Sequence, residues 1–98
     1  MKNVLVEYTY TGNEETWQQL IADFLNAIEA DSRLKGHFHY QVFIMPEGRR
    51  VHIGRWDSEE TLKALQSQPF FKTFAQGIQA LASDFNSGFG TEVFSTGS

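Results

Sequence analysis

The alternation of apolar and polar side chains divides the chain into strands and helices. Positions 4–10 are rich in β-branched and aromatic residues and end at a Thr-Gly-Asn turn, which is typical of a strand. Apolar residues then recur at helical spacing between Trp17 and Ile28, after the capping residue Asn13 and two glutamates that favour a helix N-terminus. The sequence therefore predicts a strand followed by a helix that ends before Gly36.

Two further strands are predicted in the middle of the chain, at residues 38–45 and 50–56. The Pro-Glu-Gly sequence between them suits a hairpin turn. Asp57 and Glu60 have the spacing of a capping box, in which the first residue caps a helix and the second bonds back to it. We therefore expect a short helix with Asp57 as its N-cap.

Pro69 is expected to start another helical segment, because proline suits the first turn of a helix. The apolar residues that follow are spaced by three and four, as on one face of a helix: Phe71, Phe74, Ile78, Leu81 and Phe85. The glycines at 88 and 90 are expected to break this helix, and residues 91–94 to form a short fourth strand.

The predicted order is β-α-β-β-α-β. With right-handed crossovers it gives an α+β, ferredoxin-like sandwich, in which helices cover one face of a four-stranded antiparallel sheet. We expect one domain over residues 1–98 with a loose tail at about 95–98, because no linker or repeat interrupts the chain. A hydrophobic content of 41% is enough for a core.

Both faces of the predicted sheet carry apolar side chains, although helices can cover only one of them. Val4, Val6, Tyr8 and Tyr10 share one face of the first strand, and Leu5 lies on the other. We interpret the first set as a patch too large to stay exposed. A homodimer formed by packing the two sheets face to face is the expected solution.

Charge and composition exclude several classes of function. The net charge is −4 and the pI about 5.2, so no positive field attracts nucleic acid, and the third strand lacks the basic Gly-aromatic consensus of RNA-recognition modules. The absence of cysteine removes disulfides, thiolate nucleophiles and cysteine-ligated metals. Without a signal or membrane-spanning segment, we expect a cytoplasmic protein with no membrane partner.

The run from Gly54 to Ser58, followed by Leu62 and by residues 66–74 around Pro69, resembles the antibiotic biosynthesis monooxygenase family of dimeric α+β barrels. Trp56 and Pro69 stand thirteen positions apart, as the family pattern implies. The resemblance implies a helix–sheet cavity and a range of activities that includes quinol oxidation, isomerisation and haem degradation.

The chain departs from that family at its usual polar positions. Where the resemblance would place Glu, His and His, the sequence has Gly54, Leu65 and Phe70. The positions that correspond to the haem-degrading branch fall near Leu5, Leu65 and Ala75, whose side chains cannot ligate iron. Haem degradation is therefore disfavoured.

Two residues are candidates for catalysis. Glu7 could act as a base if it faced the helices, because burial would raise its pKa; the alternative is an ion pair with Arg55 or an exposed edge position. His52, on the third strand, is the second candidate. The side chains expected to line a substrate pocket are Tyr8, Tyr40, Trp56, Leu65 and Phe70.

No cofactor or metal is predicted. His37 and His39 lie two apart on a strand edge, within reach of one metal ion, but a third ligand is hard to find. The sequence contains no Gly-rich phosphate loop or dinucleotide fingerprint.

Two functions are left open. One is a cofactor-independent, monooxygenase-like enzyme that acts on a small aromatic or quinol-like molecule. The other is a non-catalytic dimeric barrel that binds a hydrophobic small molecule. An apolar pocket that ends in Glu7, a histidine or a tyrosine would support the enzyme, whereas a pocket filled by Leu65, Phe70 and Phe71 would support the binder.

Overall fold

The computed structural model describes residues 1–97 and contains a four-stranded antiparallel sheet with three helices. The sheet has the strand order β2-β3-β1-β4, so the predicted ferredoxin-like fold is confirmed. The elements in chain order are β1 (Lys2–Thr9), α1 (Glu14–Glu29), β2 (Phe38–Ile44), β3 (Arg49–Trp56), α2 (Glu59–Gln66), α3 (Pro69–Leu81) and β4 (Ser83–Thr91).

The first half of the chain folds as its pattern predicts. The Asn13 side chain accepts a hydrogen bond from the Thr16 N–H at 2.9 Å and caps α1. The hairpin between β2 and β3 turns through Pro46–Gly48, and Gly48, with φ at 76°, lies directly against Thr11. These local signals decide the structure because capping and turn geometry act within a few residues.

The cap of α2 differs from the prediction. Ser58, not Asp57, is the N-cap, and its hydroxyl oxygen accepts a hydrogen bond from the Thr61 N–H at 3.3 Å. Asp57 accepts instead from the Thr61 hydroxyl at 2.6 Å and bonds to His37. Because these two bonds occupy the Asp57 carboxylate, the Ser58 hydroxyl caps the helix, which starts one residue later than the capping-box pattern indicates.

The last strand also differs from the prediction. Helix α3 ends at Leu81, and β4 spans Ser83–Thr91, so Phe85 belongs to the strand and the glycines at 88 and 90 lie inside it. This strand pairs with β1 along almost its whole length, from Lys2 opposite Thr91 to Thr9 opposite Ser83. Pairing with a neighbouring strand overrides the weak strand propensity of glycine here.

The predicted loose tail lies beyond β4. Residues 95–97 have no regular secondary structure, and Ser98 lies outside the described residues. None of the helices within residues 1–97 is long and apolar enough to cross a membrane.

The two faces of the sheet are the reverse of the expected assignment. Val4, Val6 and Tyr8 face the helices and belong to or pack against the core, so they form no exposed patch. Alternation allowed either assignment, because both sets of side chains on β1 contain apolar residues. We call the covered surface the helix side. The opposite surface, the open face, is carried by Asn3, Leu5, Glu7, His39, Gln41, Phe43, Val51, Ile53 and Arg55.

Candidate functional site

A cavity of about 210 Å³ lies between the helices and the helix side of the sheet. Its walls are mostly apolar and include Phe74 and Ile78 of α3. Among residues 1–97, no Asp, Glu, Lys or Arg lines it, so its chemistry depends on uncharged groups. The lining residues whose side chains carry a polar atom are Tyr40, His52, Trp56, Gln66, Gln79 and Ser87.

His52 is completely buried in the wall of this cavity, between two tyrosines. Its Nε2 lies 2.8 Å from the Tyr8 hydroxyl, and its Nδ1 lies 2.8 Å from the Tyr40 hydroxyl. The strand register explains the arrangement, because His52 stands opposite Val6 on β1 and Val42 on β2. The tyrosines two residues along on those neighbouring strands are therefore its diagonal neighbours.

Helix α1 completes the arrangement. Trp17, in its first turns, donates its indole N–H to the Tyr8 hydroxyl oxygen at 2.7 Å. Four aromatic side chains are thus joined into one hydrogen-bonded row: Trp17, Tyr8, His52 and Tyr40. We call this row the aromatic chain.

Burial keeps the aromatic chain uncharged. It lowers the pKa of His52 to about 4, so the imidazole is neutral at pH 7. Burial also raises the pKa of Tyr8, against smaller opposing effects of the Trp17 hydrogen bond and of Arg50. The pKa of Tyr40 is raised well above its usual value, again mainly by burial. Both phenols therefore keep their protons at neutral pH.

Arg50 lies beside Trp17, at one end of the aromatic chain. The side chain is almost fully buried, with its guanidinium carbon 4.4 Å from the centre of the Trp17 ring. Its two terminal nitrogens donate to the Glu14 carboxylate, and one also donates to the Tyr10 carbonyl at 3.1 Å. The ion pair lowers the pKa of Glu14, mainly through the hydrogen bond. This cation therefore lies against the face of the Trp17 ring and is also the cross-strand neighbour of Tyr8.

Trp56 contributes a second polar group to the cavity. Its ring is buried and stacks on Phe38, with ring centres 6.2 Å apart. Its indole N–H has no hydrogen-bond partner within the described part of the chain. A buried N–H without an acceptor is costly to the folded state.

The structure brings together most of the side chains expected at the pocket. His52, Tyr40, Trp56 and Leu65 line the cavity, and Tyr8 reaches it through His52. Phe70 does not line it but packs on Phe24, with ring centres 6.1 Å apart, and its neighbour Phe71 takes the lining position. A histidine and a tyrosine line the cavity, and Leu65 and Phe71 line it without filling it.

Glu7 lies away from this site. Because it stands between Val6 and Tyr8 on β1, alternation places it on the open face. Its carboxylate is 3.5 Å from Arg49, rather than paired with Arg55 as one alternative had it. Glu7 therefore does not face the helices, which was the condition for its role as a buried base.

Two residues of the site were missed in the sequence. Trp17 was interpreted only as part of the apolar stripe of α1, and Arg50 only as a strand residue. One signal could have found Arg50: it lies two residues before His52, hence on the same face of β3. Nothing in the sequence indicates that Trp17 meets Tyr8, because the contact depends on how α1 crosses β1.

The two histidines before and in β2 do not form a metal site with a third ligand. His37 bonds to Asp57 at 2.6 Å, and the Thr61 and His37 hydrogen bonds lower the pKa of Asp57 to about 2. No group of three His, Cys, Asp or Glu side chains placed to bind a metal occurs in the part of the chain that the structure describes.

Several solved structures superpose on this chain over nearly its whole length. SnoaB, a cofactor-independent oxygenase from Streptomyces nogalater, superposes with a TM-score of 0.75 at 15% identity, over 96% of this chain and 94% of that one. Rv0793 from Mycobacterium tuberculosis gives 0.75 at 11% identity, over 98% of each chain. An antibiotic biosynthesis monooxygenase gives 0.63 at 18% identity, over 95% of this chain and 99% of that one.

The chain has the fold of the antibiotic biosynthesis monooxygenases. This confirms, for the fold, the resemblance seen around Trp56 and Pro69. No protein-family model matches the sequence, and no curated protein matches it.

Proposed function

We propose that this protein is a cofactor-independent oxygenase that acts on a small aromatic or quinol-like molecule in the helix–sheet cavity. The observation that carries the proposal is the neutral His52, held between two tyrosines in the wall of an apolar cavity. Aromatic walls suit a planar ring, and a few convergent polar groups orient it, as is typical of small-molecule sites. The structural likeness to SnoaB, named as a cofactor-independent oxygenase, supports the same class of reaction.

The reaction requires the substrate as an anion. A phenol or an activated CH₂ group releases one proton to water, and the anion transfers an electron to O₂. The radical pair combines to a peroxide, which takes up a proton and loses water to leave a carbonyl, so that CH₂ and O₂ give C=O and H₂O. Groups that stabilise the anion in a water-poor site favour the first step, because they lower the pKa of the substrate.

Oxygen consumption tests this proposal. Wild-type protein is given a panel of hydroquinones and anthrone-like phenols, with and without a metal chelator. We expect turnover that survives chelation and falls at least about 100-fold in His52→Gln. The same substitution at the exposed His37, outside the cavity, serves as the matched control and should leave turnover unchanged.

The opposite result points to the second function. If no phenol is turned over and an apolar ligand binds tightly in the cavity, the protein is a binding barrel rather than an oxygenase. The apolar lining around Leu65 and Phe71 would then serve binding alone.

We also propose that a second copy of the chain covers the open face. Leu5, 48% exposed, and Phe43, 41% exposed, stand on that face beside Val51 and Ile53. Next to them lies a trough of about 430 Å³ beside β4, where Gly88 and Gly90 carry no side chains. Two sheets packed around a twofold axis would bury these groups, with an expected interface above about 1,000 Å². Sedimentation that shows only the 11.2 kDa monomer at micromolar concentration would contradict this.

A further inference from the structure

Most residues that line the cavity are shielded from solvent, but a few are exposed. The lining side chains on β1, β2 and β3 and on the inner faces of the helices are buried or half-buried. The exposed lining residues are Gln66 at the end of α2, Gln79 on α3, and Phe85, Ser87 and Phe89 on β4. A side chain that lines a cavity and also contacts bulk water lies where the cavity opens. The mouth of the cavity is therefore between β4 and the two helices α2 and α3.

The position of β4 in the sheet explains why the cavity opens on this side. β4 is an edge strand that pairs with β1 alone, and all of its residues are exposed. Phe89 stands opposite Val4 and Ser87 opposite Val6, so both lie on the helix side of the sheet. Their exposure shows that the helices do not extend over β4.

The two phenylalanines at the mouth differ in how firmly they are held. Phe85 is 40% exposed and stacks on the completely buried Tyr8, with ring centres 6.4 Å apart. Phe89 is 73% exposed, and the edge-to-face contact with Trp56, at 6.0 Å between ring centres, is its one aromatic contact within residues 1–97. Its neighbours on the same face of β4 are the small Ser87 and Thr91.

The ring of Phe89 can therefore leave Trp56 at a small cost. One edge-to-face pair is worth about fivefold in population, which corresponds to about 1 kcal/mol. Exposed side chains change rotamer within nanoseconds. Trp56 lines the cavity behind Phe89, so displacement of the Phe89 ring widens the path from solvent to the buried part of the cavity.

We propose that Phe89 is the entrance residue of the cavity and that it favours flat aromatic molecules over twisted ones. A flat molecule passes beside the ring while the ring stays on Trp56, whereas a twisted molecule of similar size requires the ring to move away. Within the described part of the chain no charged side chain lines the cavity or its mouth, so the favoured molecules are also neutral. The proposal deepens the proposed function, on which it rests for the word substrate, by naming the shape of the molecule that enters the same cavity.

A matched pair of ligands tests the entrance residue. Fluorenone and benzophenone have the same number of carbon atoms and the same carbonyl group, but fluorenone is flat and benzophenone is twisted. Stopped-flow mixing, followed by tryptophan fluorescence, gives their association and dissociation rate constants. Wild-type protein should bind fluorenone about fivefold faster than benzophenone, the cost of displacing one edge-to-face pair.

Substitutions of Phe89 should change this preference in both directions. In Phe89→Ala the two ketones should associate at rates within about twofold of each other, because benzophenone no longer has a ring to displace. Phe89→Trp enlarges the ring and should raise the preference to at least about tenfold. Phe94→Ala is the control, since Phe94 is also exposed but does not line the cavity, and it should keep the wild-type preference.

The kinetics distinguish an entrance residue from a residue of the cavity wall. Substitutions in binding sites act mostly on dissociation, because they remove contacts with the bound ligand. A lower barrier to passage instead accelerates entry and exit by the same factor. In Phe89→Ala, benzophenone association and dissociation should therefore both rise about fivefold, with Kd unchanged within about twofold.

Three results would overturn the proposal. The first is faster dissociation with unchanged association in Phe89→Ala, which would make Phe89 part of the wall. The second is equal association of the two ketones with wild-type protein, and the third is the failure of both ketones to bind.

This proposal and the proposed function can fail separately. Neither ketone carries a phenol or an activated CH₂ group, so their binding is measured without turnover. A flat preference that depends on Phe89, together with no oxygen consumption on any phenol, would leave the entrance residue standing and contradict the oxygenase. Oxygen consumption with an unchanged preference in Phe89→Ala would do the reverse.

Discussion

The two faces of the sheet are formed by alternate residues of the same strands, yet polar side chains are buried on one face and partly exposed on the other. On the helix side, His52 is completely buried, and both of its ring nitrogens have partners. On the open face, Glu7 is partly exposed beside Arg49, and the apolar Leu5 is left half exposed. On the helix side, burial and hydrogen bonds therefore determine which groups are protonated. On the open face, apolar side chains stay in contact with water unless another surface covers them.

This difference separates the two proposals for the molecule. Chemistry on the helix side depends on a neutral, fully partnered row of aromatic groups in a water-poor site. Assembly on the open face depends on apolar area and on shape complementarity. A substitution on one face should leave the property of the other face almost intact.

The largest effect is expected from a charge placed on either side of β1. Val6→Asp puts a carboxylate beside the cavity and under the helices, which should cost about 3 kcal/mol or more of the free energy of unfolding. Leu5→Asp lies one residue away on the open face and should cost the monomer less than about 1 kcal/mol while dissociating the dimer. Urea unfolding and sedimentation measure the two effects. A folded Val6→Asp dimer would refute the assignment of the faces.

The assignment of the faces shows what the sequence could and could not predict. Period-two alternation correctly groups Val4, Val6 and Tyr8 on one face, but it does not say which group the helices cover. The charged residues gave the missing clue, since Glu7 and Arg55 belong to the other group. Charged residues on both central strands favour leaving that face uncovered, although Arg50 shows that a charge with partners can be buried on the helix side.

Elements determined by neighbouring residues were predicted correctly, whereas those determined by distant contacts were not. The cap of α1 at Asn13 and the hairpin at Pro46–Gly48 depend on neighbouring residues and are correct. The start of β4 depends on pairing with β1, so the glycine-rich sequence was misread as a break. At the site, His52 was predicted as a catalytic candidate and Tyr40 as a pocket residue, but the role of Trp17 follows only from the packing of α1.

Acid should destabilise the protein through His52. Its pKa is lowered to about 4 in the folded state, so between pH 6.5 and 4 the unfolded chain binds the proton and the folded chain does not. Stability should therefore fall as the pH drops through this range, by about 3 kcal/mol in total. His52→Gln should remove that dependence, and His39→Gln, on the open face, should retain it. Urea unfolding across this range, above the pH at which Asp57 takes up protons, is the measurement.

Adjacent arginines of β3 give a smaller contrast between the faces. Arg50→Ala loses the contact with the Trp17 ring and the bonds to Glu14 and should cost about 2 kcal/mol. Arg49→Ala removes a partly exposed ion pair with Glu7 and should cost less than about 1 kcal/mol. Thermal or urea unfolding of both variants provides the comparison. Equal losses would mean that the buried arginine contributes no more than the exposed one.

The smallest effect concerns two glycines on opposite faces. A Cβ at Gly54, on the helix side, would lie 3.0 Å from Val4 and 3.1 Å from the Tyr40 ring, whereas one at Gly88, on the open face, would have nothing within 4 Å. Gly54→Ala should therefore push the Tyr40 ring away from β3, at a cost of about 1 kcal/mol in stability. Gly88→Ala should alter stability by less than about 0.5 kcal/mol. Both are best measured in Leu5→Asp protein, so that the proposed dimer does not contribute. If Gly54→Ala is as stable as Gly88→Ala in urea unfolding, the close approach of Val4 and Tyr40 to Gly54 does not limit the size of the residue at that position.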